Sequence, residues 1–563
     1  MRIGEVGGRK LGVRKLGVRS CNDTFFINAC LVLKKCVIAR PDPQLGGIKN
    51  MMAKAIMIQG TGSSVGKSIM VTALCRIFYQ DGFKVAPFKA QNMALNSFIT
   101  KDGGEMGRAQ VVQAEACGIE PTVDMNPILM KPTSEMGSQI IVQGKPVGNM
   151  LAQEYRNYKS KLISVVKDSF LKLAGNYEVI VIEGAGSPAE INLREDDIVN
   201  MRMAQIADCP VLLVGDIDKG GVFAWIVGTL ELLTKEERER VRGIIINKFR
   251  GDKEILQPGL DYLEKKIKRP ILGVIPYFRD IRIEEEDSVN LEKNKYYTRP
   301  EPGKINIEVL YLPHISNFTD FDPLERKEGI SLRYVKMGER LGEPDLLIIP
   351  GSKNTLDDLY CLKKFGYQEE ILKRTKKGTM IIGICGGYQM LGKQLYDSEH
   401  TESSREKIVG LGLINGVTTL RPKKITFQVR ARLLPNPFFN IQEELSGYEI
   451  HTGETILSGD EESLFKITKR GFTQTDINDG VVSKEGMVWG TYIHGIFDNN
   501  SFRRSFINFL RRKKGLTISS CINQDRISYQ EQKDREYDRL ACLVRDNLDM
   551  EKIYYILGIE KDK

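Results

Sequence analysis

The sequence predicts two α/β domains in tandem, each built on a parallel sheet covered by helices. Three observations carry this expectation. The chain has 563 residues, more than one hydrophobic core ordinarily serves. From Lys54 onward, short apolar runs alternate with amphipathic segments, the pattern of strands buried on both faces and joined through helices. Two glycine-rich turns, GTGSSVGKS at Gly60–Ser68 and GICGGYQML at Gly383–Leu391, each follow such a run and lie about three hundred residues apart.

The elements follow in order. Residues 1–51 hold an immediate repeat, KLGVRKLGVR (Lys10–Arg19), then FFINACLVL before two lysines. A basic start ahead of a short apolar stretch mimics a secretory signal, yet Ile38-Ala-Arg-Pro makes a poor cleavage site. The expectation is a disordered or mis-started extension, with Met51 or Met52 as the natural beginning. In a first domain, 52–284, Ala55–Ile58 reads as a strand and Ser68–Gln80 as a helix. Val179–Ile182, Val211–Val214, Ile244–Ile246 and Ile271–Ile275 read as buried strands. Several end at Gly, Asp or Asn, as strands do where their C-terminal edge forms a site. Residues 285–304, EEDSVNLEKNKYYTRPEPGK, are charged, polar and twice interrupted by proline, and read as a linker. A second domain, 305–500, begins with Ile305–Leu312, Leu346–Ile349 and Met380–Ile384 and closes near Gly490–Asp498. The tail, 501–563, alternates basic and apolar residues at helical spacing and is expected to pack on the second domain.

Composition narrows the function. Hydrophobic residues at 41% and charged ones at 28% describe a soluble globular protein, and no apolar run approaches the length of a bilayer span. The net charge of +9 suggests nucleic acid until it is located. Residues 1–50 hold ten Lys/Arg against three Asp/Glu, which leaves 72 against 70 in the rest of the chain. A nearly neutral body argues against nucleic acid as a partner. The ten cysteines form no CxxC pair and no cluster with the four histidines, which predicts a cytoplasmic protein without a disulfide framework or a metal cluster.

The turn at Gly60–Ser68 lies between a predicted strand and a predicted helix, the context a phosphate loop requires. Gly60, Gly62 and Gly66 let the backbone N–H groups face phosphate oxygens, with the helix N-terminus adding favourable potential. Lys67 would contact the outer phosphates and Ser68 a magnesium ion. The spacing is unusual, because the common first glycine falls on Thr61. This longer loop resembles that of dethiobiotin synthetase and its ATP-dependent relatives, which activate a carboxyl or carbamate group. In that resemblance Glu183 and Asp216 are metal-binding carboxylates, with Asp218 nearby, and Asn247 is an adenine-reading residue. Read alone, each carboxylate serves equally as a loop or cap group. Lys89 in PFKAQNM would steady the transferred phosphate.

Cys385 has the elements of a nucleophile elbow: an apolar strand, then Gly386-Gly387, then a helical pattern that raises the sulfur from the sheet. Its general base must be a histidine, and there are four. His494, in GTYIHGIF, is the first candidate, and His451, in SGYEIHTG, the second. An oxyanion site would come from the backbone at Gly386 and at the turn holding Gly351 and Ser352. These segments resemble class I glutamine amidotransferase domains, which release ammonia from glutamine through a cysteinyl thioester. The usual Pro-Glu after the histidine is absent here, since Gly495-Ile496 follows His494. The expectation is therefore a Cys385–His494 dyad with no third residue assigned, Glu449 and Asp498 being possible orienters.

Long segments outside both turns, among them KAQNMALNSFIT, GAGSPAEINL, VGDIDKGGVFA, LPHISNFTDFDPL and VWGTYIHGIFDN, resemble the corrinoid amidotransferase family. That resemblance implies an ATP-, Mg2+- and glutamine-dependent enzyme with no permanently bound cofactor. It implies amidation of the b, d, e and g carboxylates of adenosylcobyrinic acid a,c-diamide in cobalamin biosynthesis. The sibling activity on the a and c carboxylates is one alternative, and a partitioning-type ATPase another. The partners implied are the corrinoid, ATP and glutamine, with no nucleic acid and no membrane, and the oligomeric state is left open. Asn92, Asn96, Gln110, Gln113 and Glu115, with Lys89, lie where such folds place the acceptor.

Overall fold

The computed structural model describes residues 53–133, 137–284, 301–439, 441–517 and 527–560. The expected extension at 1–51, and residues 285–300 of the expected linker, lie outside the described residues. Lys54–Gly60 is the central ribbon of a parallel sheet that also holds Val85–Phe88, Val179–Glu183, Val211–Asp216, Val241–Phe249 and Ile271–Pro276. Its spatial order runs 271–276, 241–249, 211–216, 54–60, 179–183, 85–88, every pairing parallel.

The alternation of side chains along a strand decides which layer each residue joins. Ile56 and Ile58 point to the face covered by the helix Lys67–Gln80, among Met70, Leu74 and Phe78. Ala55 and Met57 point to the opposite face, among Phe170, Val222 and Ile226. Because both faces are covered, the strands read as unbroken apolar runs, and all five residues of Val179–Glu183 are buried.

A second parallel sheet holds Ile330–Lys336, Ile305–Tyr311, Leu346–Ile349, Met380–Ile384 and Val488–Thr491 in that spatial order, with Val481–Val482 antiparallel at its edge. Two features follow from no motif in the sequence. Gln91–Met93, Ile128–Pro132, Gly137–Val142 and Lys145–Leu151 form a small mixed sheet within the first domain. Gly416–Leu433 and Leu445–Leu457 form a long antiparallel pair that reaches across to the first domain. There Gln428 Nε2 donates to the Ile99 carbonyl at 2.9 Å and Thr426 Oγ1 to the Gly103 carbonyl at 2.9 Å.

The tail departs from expectation. Its first helix, Asn500–Lys513, packs on the second domain, through Phe502, Phe506 and Leu510. The helix Tyr529–Arg545 instead lays Tyr537, Leu540, Ala541 and Val544 against the first domain's helix Lys67–Gln80, and Met550–Leu557 joins the same cluster. Arg76 Nε meets Asp538 at 2.7 Å across that contact. Helical periodicity reveals that an apolar stripe exists but not which surface it covers.

Candidate active sites

The strand Lys54–Gly60 runs into the phosphate loop and the helix that begins at Lys67. Gly66 carries φ of +103°, a conformation that strains any side chain, and a Cβ there would strike the Asn247 amide. Lys67 Nζ donates to the carbonyls of Gly62 at 2.9 Å and Gly186 at 3.0 Å, so it curls over the loop as a phosphate ligand must. Ser68 Oγ donates to Glu183 Oε1 at 2.8 Å, and Lys89 Nζ reaches the same oxygen at 2.9 Å. Burial alone would push the Glu183 carboxyl up. The Lys89 ammonium and the hydrogen bonds from Gln113 and Ser68 outweigh it and hold the group below the usual carboxylate range.

Hard oxygen donors such as Ser68 and Glu183 suit magnesium. The described residues contain no group of three or more His, Cys, Asp or Glu arranged as a metal site. Asp216 is placed differently from the sequence expectation. Its carboxylate pairs with Lys248 Nζ at 2.8 Å, and that ammonium also donates to the Ser64 carbonyl at 2.6 Å. It therefore braces the loop through a lysine. Asp218 pairs with Arg250 at 2.9 Å. Asn247, expected to read adenine, spends its amide on the Val65 carbonyl at 2.8 Å.

The expected acceptor residues form an inner polar layer. Gln113 Nε2 donates to Glu183 Oε2 at 2.5 Å, Gln110 Nε2 to the same oxygen at 3.4 Å, and Asn92 Nδ2 to Gln110 Oε1 at 3.0 Å. Asn92, Asn96, Gln110 and Gln113 are all buried. Glu115 is a correction, because it turns to the tail helix, where Lys533 Nζ reaches both its oxygens at 2.8 Å and Tyr537 donates at 2.7 Å. It stands seven residues after Arg108 on the helix Arg108–Ala116, whose Gln110 and Gln113 face Glu183.

In the second domain the strand Met380–Ile384 ends at Cys385, which has φ of +51° and ψ of −109°. A non-glycine residue in this region is strained and held by its surroundings. Here the Cys385 N–H donates to the Thr491 carbonyl at 2.8 Å, and the turn allows no bulk after it, since a Cβ on Gly387 would drive into the Ile349 carbonyl. Gly351 lies beside the His494 ring, and Gly386 lies against the Ser352 N–H, so the turn expected to supply the oxyanion backbone packs against the segment that follows Cys385. Ser352 Oγ donates to Asp358 at 2.6 Å and pins that turn.

His494 is almost fully buried, and its Nε2 has no hydrogen-bond partner among the described residues, while the Cys385 thiol donates to the Ile450 carbonyl at 3.5 Å. Its Nδ1 lies 2.6 Å from Asp320 Oδ2, and Asp320 Oδ1 accepts the Gly495 N–H at 3.0 Å. Burial would lower the imidazole pKa, but the Asp320 carboxylate and the neighbouring Cys385 raise it to about 10. Asp320 is the residue that sequence reasoning missed. It sits in the 3-10 turn Phe318–Phe321 inside LPHISNFTDFDPL, a segment noted for resemblance but not for chemistry. Of the two orienters suggested by sequence, Glu449 is engaged elsewhere, and His494 Nδ1 pairs with Asp320 instead of Asp498. Glu449 forms a two-pronged pair with Arg470 at 2.6 and 2.7 Å, and burial lifts the Asp498 carboxyl to about 7. His451, the second histidine, has both ring nitrogens occupied, by the Gly453 carbonyl at 2.7 Å and Glu449 at 3.4 Å.

The cysteine faces a pocket at the seam of the domains, lined by Lys353, Thr355, Gln389, Glu402 and Thr452 and by Lys131 from the first domain. Behind it, Glu105 is fully buried between Lys131 Nζ at 2.9 Å and Lys424 Nζ at 2.6 Å, the latter from the long antiparallel pair. Burial brings the Lys131 pKa down to about 8, while the two ammonium groups hold the Glu105 carboxyl far below its usual range. Tyr448 stacks on His494, centroids 5.2 Å apart, and its hydroxyl reaches the Ser97 carbonyl of the first domain at 3.4 Å.

A phosphate-loop sheet joined to a cysteine–histidine sheet defines a nucleotide-binding domain coupled to a glutamine amidotransferase domain. Residues 56–290 match the CobQ/CobB/MinD/ParA nucleotide binding domain, and residues 306–502 match the CobB/CobQ-like glutamine amidotransferase domain. The chain is 52% identical over 516 residues to a cobyric acid synthase of Caldanaerobacter subterraneus, covering 91% of this chain and 100% of that relative. It is 53% identical over 515 residues to one of Pelotomaculum thermopropionicum, covering 90% and 97% of the two chains. It is 54% identical over 509 residues to one of Clostridium botulinum, covering 90% and 100%. The chain belongs to the cobyric acid synthase family, and is an enzyme of the glutamine-hydrolysing amidotransferase class. Among the described residues, no helix is long and apolar enough to cross a membrane.

Proposed function

We propose that the chain converts adenosylcobyrinic acid a,c-diamide to adenosylcobyric acid, amidating the b, d, e and g carboxylates at the expense of ATP and glutamine. The observation that carries this reading is the opening of the Cys385 pocket onto Lys131, a residue of the phosphate-loop domain. The nitrogen source thus faces the domain that carries the phosphate loop.

At the second domain, His494 Nε2 accepts the Cys385 proton, and the sulfur attacks the side-chain carbonyl carbon of glutamine. Backbone N–H groups near Gly351, Ser352 and Gly386 stabilise the oxyanion. Collapse of the adduct breaks the C–N bond, with the proton returned by His494 to the departing ammonia. Water then hydrolyses the thioester to glutamate. At the first domain, a corrinoid carboxylate oxygen attacks the γ-phosphorus of ATP and ADP leaves, giving an acyl phosphate. Ammonia attacks the acyl carbon, phosphate leaves, and a carboxamide remains. Lys67 and Lys89 hold the phosphoryl oxygens through this transfer. Magnesium, held by Ser68 and Glu183, would neutralise charge on the phosphates.

The reaction is assigned to the cytoplasm, which the free thiols of all six described cysteines support. Mass spectrometry of the corrinoid product tests the reading. With ATP, Mg2+ and glutamine, the a,c-diamide should gain four amides, one ATP and one glutamine being used for each. Product from cobyrinic acid alone, with none from its a,c-diamide, would assign the chain the sibling activity instead.

A further inference from the structure

Three lysines face the Cys385 pocket: Lys131, Lys353 and Lys424. Lys131 and Lys424 share the buried carboxylate of Glu105. Lys353 has no such partner. It follows the Gly351–Ser352 turn, its N–H held by the His314 carbonyl at 2.9 Å, and it is 6% exposed. No carboxylate among the described residues lies within 4.0 Å of its ammonium. A buried cation without a direct ion pair is costly, and one kept beside a nucleophile suits an anionic ligand.

Glu402 lines the same pocket and is the complementary group. Its carboxylate accepts the Thr452 hydroxyl at 2.9 Å and the Thr355 hydroxyl at 3.2 Å, which fixes it without neutralising it. One positive and one negative group beside one nucleophile match a zwitterionic amino acid whose side chain carries the reacting carbon. We propose that Lys353 binds the α-carboxylate of glutamine and Glu402 its α-ammonium, so that the pocket selects the free amino acid over other primary amides. This rests on the glutaminase reading given above. Burial draws the Lys353 pKa down against the pull of Glu402, and an arriving carboxylate would favour the charged form further.

The test is glutamate release by the full chain with ATP, Mg2+ and corrinoid a,c-diamide present, compared with hydrolysis of two truncated amides. 4-Aminobutanamide lacks the α-carboxylate, and glutaramic acid lacks the α-ammonium. Lys353→Met should raise the KM for glutamine roughly 10- to 100-fold with a smaller change in kcat, as expected for loss of a charged hydrogen bond. It should leave kcat/KM for 4-aminobutanamide unchanged, and Lys353→Arg should restore part of the glutamine affinity. Glu402→Gln should show the same pattern with glutaramic acid as the insensitive substrate. Equal losses on glutamine and the truncated amide, or no loss on glutamine, would overturn the assignment. Absence of glutamate release by the unmodified chain would instead remove the glutaminase reading on which it stands.

Discussion

His494 Nδ1 meets Asp320 Oδ2 at 2.6 Å across 174 residues of chain, and the other Asp320 oxygen accepts the N–H of the residue after the histidine. The carboxylate thus fixes both the ring and the backbone that carries it. The proton on Nδ1 is directed to Asp320, which leaves Nε2 as the atom that can take the Cys385 proton.

Asp320→Asn should lower glutamine-dependent synthesis roughly 100-fold or more, the scale of a disturbed general base, with ammonia-dependent synthesis less affected. Steady-state rates with each nitrogen source measure this. Equal loss with both sources would place Asp320 in fold support rather than in histidine orientation.

The same pair sets a pH dependence. The folded His494 pKa, raised to about 10, lies above the unfolded value, so the pair's stabilisation is complete below an unfolded pKa of about 6.5 and is lost as pH rises through about 10. The melting temperature of the unmodified chain should fall more steeply between these pH values than that of Asp320→Asn. Parallel curves from calorimetry would contradict the assigned cause of the shift.

Cys385→Ala should abolish glutamine-dependent synthesis and retain synthesis from added ammonia, because the substitution removes the nucleophile without touching the phosphate loop. Product mass spectrometry with each source decides it. Persistent amidation from glutamine would remove the nucleophile role.

Lys67→Ala should abolish synthesis with either nitrogen source, since its ammonium curls over the loop between the Gly62 and Gly186 carbonyls. ATP-dependent amidation that survives in this variant, read by ADP release and product mass, would refute its assignment to the phosphates.

Lys424→Met removes one of the two ammonium groups on Glu105 at the seam of the domains. If ammonia crosses that seam, the variant should release several glutamates for every amide formed, against about one in the unmodified chain. Unchanged stoichiometry would place the passage elsewhere.

Both chemical turns were legible in the sequence, because each depends on neighbours in the chain. A strand, a glycine loop and a helix N-terminus suffice for Gly60–Ser68, and a strand followed by paired glycines suffices for Cys385. Metal and base-reading roles were less legible. Asp216 stands at a strand end as expected, but whether it faces Ser68 or Lys248 depends on where the next strand's lysine lies, and here it meets Lys248. Glu115 likewise looked like an acceptor ligand until the helix Tyr529–Arg545 brought Lys533 to it from 418 residues away.

The sequence by itself determined the two sheets and the two glycine turns that carry Lys67 and Cys385, and it singled out His494 among four histidines. These rest on local backbone geometry and on residue scarcity. Only the tertiary structure decided what orients that histidine, where the tail helices dock, and that Lys353 has no direct ion pair among the described residues of the Cys385 pocket. Each of those is a pairing between distant segments, set by how buried charges and apolar faces are satisfied once the two domains pack together.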